Sequence, residues 1–277
     1  YGRANPNERV LVSDGEQVLV DAAAGGDEPV ELALKLAGKA VVVADADRIS
    51  AAKWALEKFG VTVFVLDDGF QHRPAKRDLD IVCIDATDPF GGNEVLPAGR
   101  LREPLENLRR ANAIVITRAD LSDNIEDLRS EISNLNPSAA VFLAENLLTR
   151  VTLLEEFHAK TRSAQSRKVE EALNFNRGTS SLAFCALGNP SNFFSLLDSG
   201  GFEVWQTKAF SDHHSYSQKD ILELERISRD VCVEQFLTTE KDAVKLNDLR
   251  FEIPCYVVEI KTAVSDADQF RTLITAS

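Results

Sequence analysis

The sequence predicts an α/β fold, a mostly parallel β-sheet covered by helices, with a second and smaller α/β lobe. Short β-branched runs alternate with stretches of helical spacing along the 277 residues, which is typical of such sheets. A polar stretch over residues 155–180 interrupts this alternation. We therefore expect a first domain over 1–148, a connection over 149–180 and a smaller lobe over 181–277 that contributes the loop at 212–214.

In the first half, the predicted elements follow one another at short intervals. The apolar run 41–43 predicts a buried strand, and the spacing of 49–59 predicts a helix that ends at Gly60. Further strands are predicted at 61–66, 80–85, 113–117 and 139–144. Helices are predicted to begin near Pro104, a residue tolerated in a first turn, and to cover 125–135.

In the second half, the stretch 155–180 is rich in Lys, Arg, Ser and Asn, and a short helix near 169–173 is its one candidate element. The alternation resumes at Ser181. Strands are predicted at 182–186, 204–208, 235–238 and 255–260, and helices at 193–197, 219–229 and 267–274.

The bulk composition excludes several classes of protein. A net charge of −13 argues against a general nucleic-acid binder, because phosphate backbones are held mainly by Lys and Arg. Four cysteines stand singly in apolar runs, which predicts buried free thiols in a reducing compartment. No stretch is apolar enough for a membrane span, and no signal peptide is visible.

The segment Asp67-Asp68-Gly69-Phe70-Gln71-His72 follows the predicted strand 61–66. Ligands of open α/β sheets bind at the carboxyl ends of strands. Two adjacent acids in that place resemble a Walker B arrangement and suit Mg²⁺. The alternative is a turn whose acids are solvated.

Two further segments are candidates for proton chemistry. Gly26-Asp27-Glu28-Pro29 is acidic, although it also suits a helix start with Asp27 as the N-cap. Asp212-His213-His214 follows a predicted strand, and a histidine paired with a carboxylate can take a proton from a hydroxyl. A surface loop or half of a metal site remains the alternative for the histidines.

A glycine-rich loop runs from Phe90 to Leu105 and delivers Arg100, Arg102 and Glu103 to a helix start. Arginines there suit a phosphate, whereas the alternative is solvent-facing charge. The segment 117–120 is only loosely similar to a nucleotide-base contact, and 239–242 is ambiguous.

Taken together and in order, these segments resemble the tetraacyldisaccharide 4′-kinases of lipid A synthesis. The matching segments are YGR at 1–3, VSDG at 12–15, GDEP at 26–29, DDGFQHR at 67–73, RDLDIV at 77–82, LPAGRLREPL at 96–105, LGNP at 187–190, DHH at 212–214 and TEKDAVKL at 239–246. The resemblance implies a P-loop NTPase-like sheet. It also implies transfer of a phosphoryl group from ATP, with Mg²⁺, to the 4′-hydroxyl of an acylated glucosamine disaccharide 1-phosphate. The enzyme would work peripherally on the cytoplasmic face of the bacterial inner membrane.

The resemblance also implies roles for the residues at matching positions. Asp27 would be the catalytic carboxylate, and His213 would work with it, with His214 left open as the alternative. Asp67 and Asp68 would be the acidic pair beside Mg²⁺. The remaining residues expected at the cofactor site are Glu28, Arg48, Gln71, His72 and Glu103.

One part of the family pattern is missing from these residues. The family's P-loop precedes the segment that matches YGR, and the chain contains no GxxxxGK[ST]; Gly38-Lys39 lacks the rest of the motif. The chain opens on Tyr1 and contains no methionine. We expect the P-loop and an apolar membrane-contacting helix to be encoded upstream, and we expect this polypeptide alone to turn over little.

Two other functions fit parts of the pattern. One is a metal-dependent DHH phosphoesterase, in which Asp45, Asp47 and the 67–68 pair would converge with the histidines on two metal ions. The other is a non-catalytic nucleotide-binding relative that has lost its P-loop.

Overall fold

The computed structural model describes residue 5 and residues 7–162 and 176–276. The matched segment at 1–3 and the candidate helix at 169–173 lie outside the described residues. Two compact units divide the chain: Tyr1–Phe64 with Leu148–Ile260, and Val65–Leu147 with Lys261–Ser277. They are called unit 1 and unit 2 below. Strands β5 (Ala140–Leu153) and β9 (Cys255–Val264) each contribute residues to both units.

Unit 1 contains strands and helices in alternation. Its strands besides β5 and β9 are β1 (Val10–Ser13), β2 (Val42–Ala44), β6 (Ser181–Cys185), β7 (Val204–Ala209) and β8 (Gln235–Thr239). Its helices are α1 (Ala22–Gly25), α2 (Asp27–Lys35), α3 (Arg48–Phe59), α5 (Leu154–Arg162), α6 (Pro190–Ser199), α7 (Gln218–Val231) and α8 (Glu240–Ala243).

The sheet of unit 1 positions the candidate site. Strand β6 pairs in parallel with β7 and with β8, and β8 pairs in parallel with β9. Every residue of β6 and β8 is buried, as expected for strands covered on both faces. Phe184 and Phe236 from these strands pack with Leu224 of α7 in one apolar cluster. Because the strands are parallel, the loops after β6, β7 and β8 emerge at the same edge.

Unit 2 contains a second set of parallel strands. Strands β3 (Ile81–Asp85), β4 (Ala113–Thr117) and β5 pair in parallel in that order. Helix α4 (Ile125–Leu135) buries Ile132 against Ile114 and Ile116 of β4. The other helical elements are two 3-10 helices, Leu105–Arg110 and Ala119–Leu121, and α9 (Ala267–Thr275).

The predicted α/β class with a mostly parallel sheet is confirmed. The elements at 113–117 and 125–135 have the predicted bounds, and α3 ends as predicted on Gly60, whose φ of 62° is the left-handed conformation favoured by glycine. The predicted division at 148, 180 and 181 stays a prediction.

The strand predicted at 61–66 is wrong. These residues form no strand, and the side chains of Val63 and Val65 are 76% and 94% exposed. A β-branched run becomes a strand only where a neighbouring strand takes its backbone hydrogen bonds, and no strand in the described part of the chain pairs with this one. The acidic pair at 67–68 therefore follows an exposed segment, not a buried strand.

Other differences are local. The helix predicted near Pro104 is the 3-10 helix Leu105–Arg110, and the strand predicted at 139–144 continues to Leu153. Burial was predicted for all four cysteines and is wrong for two of them, since Cys83 and Cys232 are exposed while Cys185 and Cys255 are buried; all four are free thiols.

Asn136, just after α4, forms side-chain hydrogen bonds both with the end of the 3-10 helix Leu105–Arg110 and with the start of the segment that leads to β5. Its buried amide donates to the carbonyl oxygens of Leu108 and Ala111 at 2.8 and 2.9 Å, and its carbonyl oxygen accepts from Ser138 and Ala139. Removing the side chain would take away the donor to the buried Ala111 carbonyl oxygen, which costs about 1–3 kcal/mol, while the Leu108 carbonyl oxygen would keep the Ala111 N–H at 2.9 Å.

We therefore expect Asn136→Ala to lower the free energy of opening of unit 2 by about 1–3 kcal/mol. Hydrogen exchange at the β4 amides measures this quantity. The control is Asn134→Ala, at an exposed position of the same helix, which should leave that exchange unchanged. Equal protection in the two variants would contradict the structural role of Asn136.

Candidate functional site

Three loops meet at the carboxyl edge of β6, β7 and β8. The backbone N–H of Phe210, after β7, donates to the carbonyl oxygen of Cys185 at 2.9 Å. A Cβ added to Gly188, in the loop after β6, would lie 3.4 Å from Asp212 Oδ2. The LGNP and DHH segments are thus side by side, as their positions after parallel strands predict.

Asp27 begins helix α2 but does not cap it. The N-cap is Gly26, whose φ of 92° suits glycine, and it makes no side-chain capping bond. The interpretation of Asp27 as an N-cap is therefore wrong. Its carboxylate, only 13% exposed, faces His213 Nδ1 and Lys245 Nζ, each 3.5 Å from Oδ2.

The sequence-predicted pair Asp27 and His213 is thus brought together from segments 186 residues apart. His213 lies between two acids, because its Nε2 is 3.7 Å from Asp212 Oδ2. Both His213 distances are longer than a hydrogen bond, and catalytic contacts of this kind commonly shorten when substrate binds. His213 has a φ of 59°, a conformation that costs a non-glycine residue energy and is frequent at functional sites.

His214 is packed instead into the protein. Its ring stacks on Phe210 with centroids 4.8 Å apart and meets Tyr216 edge-on at 5.1 Å. Its Nε2 is 3.4 Å from Asp220 Oδ2. Hydrogen bonds from Ser217, followed by smaller contributions from His214, lower the pKa of Asp220. These contacts favour His213 over His214 as the partner of Asp27.

The TEKDAVKL segment supplies residues that the sequence left ambiguous. Asp242 is fully buried and accepts hydrogen bonds from the backbone of Ala186 at 3.1 Å and from the Thr239 hydroxyl at 2.7 Å. Its Oδ1 is 3.4 Å from Lys245 Nζ. Burial, and next the charge of Asp242, raise the pKa of Tyr216. Two charged residues spaced three apart within an apolar frame were the sequence signal for this cluster.

Lys241, four residues before Lys245, contacts two acids of the site. Its Nζ is 3.4 Å from Asp212 Oδ1 and 3.8 Å from Glu28 Oε1. Through Lys241, Glu28 thus lies on the same edge as the DHH loop. Arg48, in contrast, is the first residue of α3.

Asp45 and Asp47 make contacts with other residues. Asp45 accepts a hydrogen bond from Arg9 at 2.6 Å, and Asp47 caps α3 by accepting from the backbone of Ser50 at 3.0 Å. The two cations Lys241 and Lys245 already face the acids around His213. A two-metal phosphoesterase needs several acids and histidines converging on the ions, and the described part of unit 1 contains no group of three such side chains placed to hold a metal.

In unit 2, Asp68 is held by an arginine. Arg102 Nη1 lies 2.7 and 3.0 Å from the two carboxylate oxygens of Asp68 and 3.4 Å from Gln71 Oε1. Both partners of this ion pair are more than half exposed. Surface pairs of this kind stabilise by only about 0–1 kcal/mol, so the arginine can leave at little cost.

Glu103 is linked to the DDGFQH segment through Arg110. Arg110 contacts both carboxylate oxygens of Glu103, at 2.9 and 3.1 Å, and Asn107 donates at 2.9 Å. The guanidinium of Arg110 also lies over the Phe70 ring, 4.3 Å from its centroid. Hydrogen bonding to Arg110 is the main reason why the pKa of Glu103 is lowered. Within the same segment, His72 N–H closes a turn on Gly69 at 2.9 Å.

Comparisons with known proteins identify the family of the chain. A family model described as tetraacyldisaccharide-1-P 4′-kinase matches residues 1–277. The chain belongs to the tetraacyldisaccharide 4′-kinase family. It is 36% identical to the tetraacyldisaccharide 4′-kinase of Halothermothrix orenii over 242 residues, 87% of this chain and 62% of that protein. It is 34% identical to the one of Desulfotalea psychrophila over 278 residues, 100% of this chain and 76% of that protein.

A solved structure has the same fold. The LpxK protein of Aquifex aeolicus, crystallised as an "apo" form in complex with ATP, matches with a TM-score of 0.72 at 28% identity. The match covers 100% of this chain and 76% of that one. The chain thus spans less than two thirds of the length of the Halothermothrix orenii relative.

The Mg²⁺ implied for the tetraacyldisaccharide 4′-kinase family fits part of the donor set. In nucleotide sites Mg²⁺ is commonly held by one or two carboxylates, phosphate oxygens and water, and the adjacent carboxylates of Asp67 and Asp68 suit that pattern. Residues 7–162 and 176–276 contain no group of three or more His, Cys, Asp or Glu side chains placed to hold a metal alone. The ion would therefore depend on the phosphates, and Arg102 would have to release an oxygen of Asp68.

We expect Arg110→Met to lower the free energy of unfolding by about 1.5–3 kcal/mol at pH 7, because it removes charged hydrogen bonds to Glu103. The pKa of Glu103 is lower in the folded protein than its ordinary 4.5. The stabilisation of the fold by the Glu103 charge is therefore complete at a pH above the ordinary pKa, and it is lost as the pH falls through the lowered pKa. The difference between wild type and variant should shrink over that acid range.

Urea unfolding at neutral and acid pH measures this difference. Arg109→Met is the matched control, since Arg109 is exposed and, among the residues that the structure describes, donates only to the carbonyl oxygen of Leu135, at 3.4 Å. A difference between Arg110→Met and wild type that did not change with pH would contradict the role of the Glu103 charge.

Proposed function

We propose that the full-length protein transfers the γ-phosphoryl group of ATP to the 4′-hydroxyl of tetraacyldisaccharide 1-phosphate. The observation that carries this proposal is the approach of the Asp27 carboxylate to the His213 imidazole at a sheet edge, in a chain of this family. The names of its relatives and the ATP complex of the Aquifex aeolicus protein support the donor and the acceptor.

In the proposed reaction the 4′-oxygen attacks the γ-phosphorus while the bond from that phosphorus to the bridging oxygen of ADP breaks. The electron pair of that bond leaves with ADP. The hydroxyl proton passes to the carboxylate of Asp27, and His213, whose Nδ1 is 3.5 Å from that carboxylate, works with it. Phosphoryl transfer depends mainly on positioning and on neutralising charge.

On the donor side, Asp67 and Asp68 would hold Mg²⁺, which when bound neutralises charge on the phosphates. Gln71, His72, Glu28 and Arg48 are proposed as further cofactor contacts. Glu103 was predicted among them, and its contacts with Arg110 and Asn107 support a role in holding the DDGFQH segment in shape. The P-loop expected upstream would supply the remaining phosphate contacts.

The acceptor places the reaction at a membrane surface. A disaccharide with four acyl chains stays in a lipid bilayer, so we propose that the protein works peripherally on the cytoplasmic face of the inner membrane. None of the helices within residues 7–162 and 176–276 is both long and apolar enough to cross a bilayer.

The direct test incubates the full-length protein with ATP labelled in the γ-phosphate and with the disaccharide 1-phosphate in mixed micelles. Label should appear on the 4′ position of the product and should need both substrates. Purified, folded protein that transfers no label would support the non-catalytic alternative instead. Hydrolysis of phosphodiesters without ATP would support the phosphoesterase.

If Asp27 and His213 act as a pair, their losses should not add. We expect Asp27→Ala to lower kcat about 10²–10⁴-fold, the range for losing a proton-handling group. His213→Ala should lower it less, and the double variant should be little worse than Asp27→Ala alone. His214→Asn is the control: it should lower the thermal stability and not the kcat, because the His214 ring is packed against Phe210. Fully additive losses in kcat would contradict a working pair.

For the metal role, we expect Asp68→Ala to raise the Mg²⁺ concentration needed for half-maximal rate, about 10-fold or more. The KM of the disaccharide should stay close to that of the wild type. The control, Arg102→Met, removes the ion-pair partner of Asp68 but keeps its carboxylate, so its Mg²⁺ requirement should not rise. An unchanged Mg²⁺ dependence in Asp68→Ala would remove Asp68 from the metal site.

A further inference from the structure

Lys245 is a buried cation at the centre of the unit 1 site. Its side chain is 7% exposed. Three oxygens lie within 3.5 Å of its Nζ: the His214 carbonyl oxygen at 3.1 Å, Asp242 Oδ1 at 3.4 Å and Asp27 Oδ2 at 3.5 Å. An ammonium group has three N–H donors, so the number of oxygens matches the number of donors.

The position of this ammonium is itself constrained. Asp242 is fully buried and is tied by hydrogen bonds to the backbone of Ala186 after β6 and to Thr239 at the end of β8. Tyr216 covers another side, with its ring centroid 5.4 Å from Nζ. Lys245 is therefore anchored to the sheet, while its remaining two contacts reach Asp27 and the DHH loop.

Those two contacts lead to the proposed catalytic pair. One is the carboxylate of Asp27, and the other is the carbonyl of His214, the residue next to His213 in the chain. Asp27 comes from the start of α2, and the DHH loop follows β7. A single cation thus links two segments that come from distant parts of the sequence.

We propose that Lys245 is a positioning residue that sets the distance between the Asp27 carboxylate and the His213 ring. The inference rests on the proposed function, because it gives the pair a catalytic role. Lys245 does not serve as a phosphate ligand, since its three donors already face protein oxygens. Lys241, whose side chain is 16% exposed, lies nearer the surface and faces Asp212 and Glu28.

The test is a double-mutant cycle of Lys245→Met and Asp27→Asn in the full-length protein. Lys245→Met should lower kcat about 10²-fold, the size expected when a reacting group moves by about 1 Å. The KM for ATP should be retained. In the Asp27→Asn background, Lys245→Met should lower kcat by less than about 3-fold, because the carboxylate that it positions is already gone.

A merely structural role would give a different pattern. Loss of fold or of rigidity would lower kcat by the same factor in both backgrounds, and that result would overturn the inference. The matched control is Lys35→Met: Lys35 contacts the carboxylates of Glu31 and Glu240 in the same unit, at 2.9 and 3.0 Å, but neither Asp27 nor the DHH loop. Its kcat should stay within about 2-fold of wild type, as for most surface substitutions.

Removing one member of a buried ion pair is destabilising, so thermal unfolding is measured for each variant. If Lys245→Met is unfolded at the assay temperature, the cycle is run with Lys245→Arg, which keeps the charge but moves the donors. The same loss of additivity is expected, and additive losses would again overturn the inference. The proposed function fails separately, if Asp27→Asn alone keeps a normal kcat.

Discussion

The unit 1 site depends on the contacts of one buried carboxylate, that of Asp242. A charge with no exposure is tolerated only when hydrogen bonds and an opposite charge surround it, and the ends of β6 and β8 together with Lys245 supply both. The parallel pairing of β6 with β8 brings these partners together. From this anchor the contacts lead outward through Lys245 to Asp27, and from Asp27 to His213. The side chains proposed to handle the proton are thus the outer end of a chain that begins in the sheet.

Unit 2 uses the same principle with a weaker anchor. Glu103 is held by Arg110, and Arg110 in turn holds Phe70, so the DDGFQH segment has a fixed base. The acidic end of the segment, at Asp68, is held less firmly, because its ion pair with Arg102 is exposed and contributes little to stability. A fixed base with a replaceable contact at the acidic end suits a segment whose carboxylates are proposed to take part in metal binding. No role of this kind was evident for Arg110 from the sequence, since its partner Glu103 is seven positions away in a 3-10 helix region.

The sequence predicted the elements whose signals are local. Strand β4 and helix α4 have the predicted bounds because apolar periodicity and burial agree there. The run 61–66 failed because β-branched residues report a preference for extended backbone, not the presence of a neighbouring strand. Asp27 and His213 were proposed by resemblance, and their approach to 3.5 Å is a property of the fold. Asp242 and Lys245 were missed because two charged residues in and just after a short helix look solvated until their burial is known.

The central claim is that the carboxylate of Asp27 acts in the phosphoryl-transfer step itself. Single-turnover transfer, with full-length enzyme in excess over the disaccharide and with saturating ATP, isolates that step from binding and product release. For Asp27→Asn, the transfer rate constant should fall about 10²-fold or more, while equilibrium binding of the disaccharide is retained. A transfer rate constant equal to that of the wild type would contradict the claim.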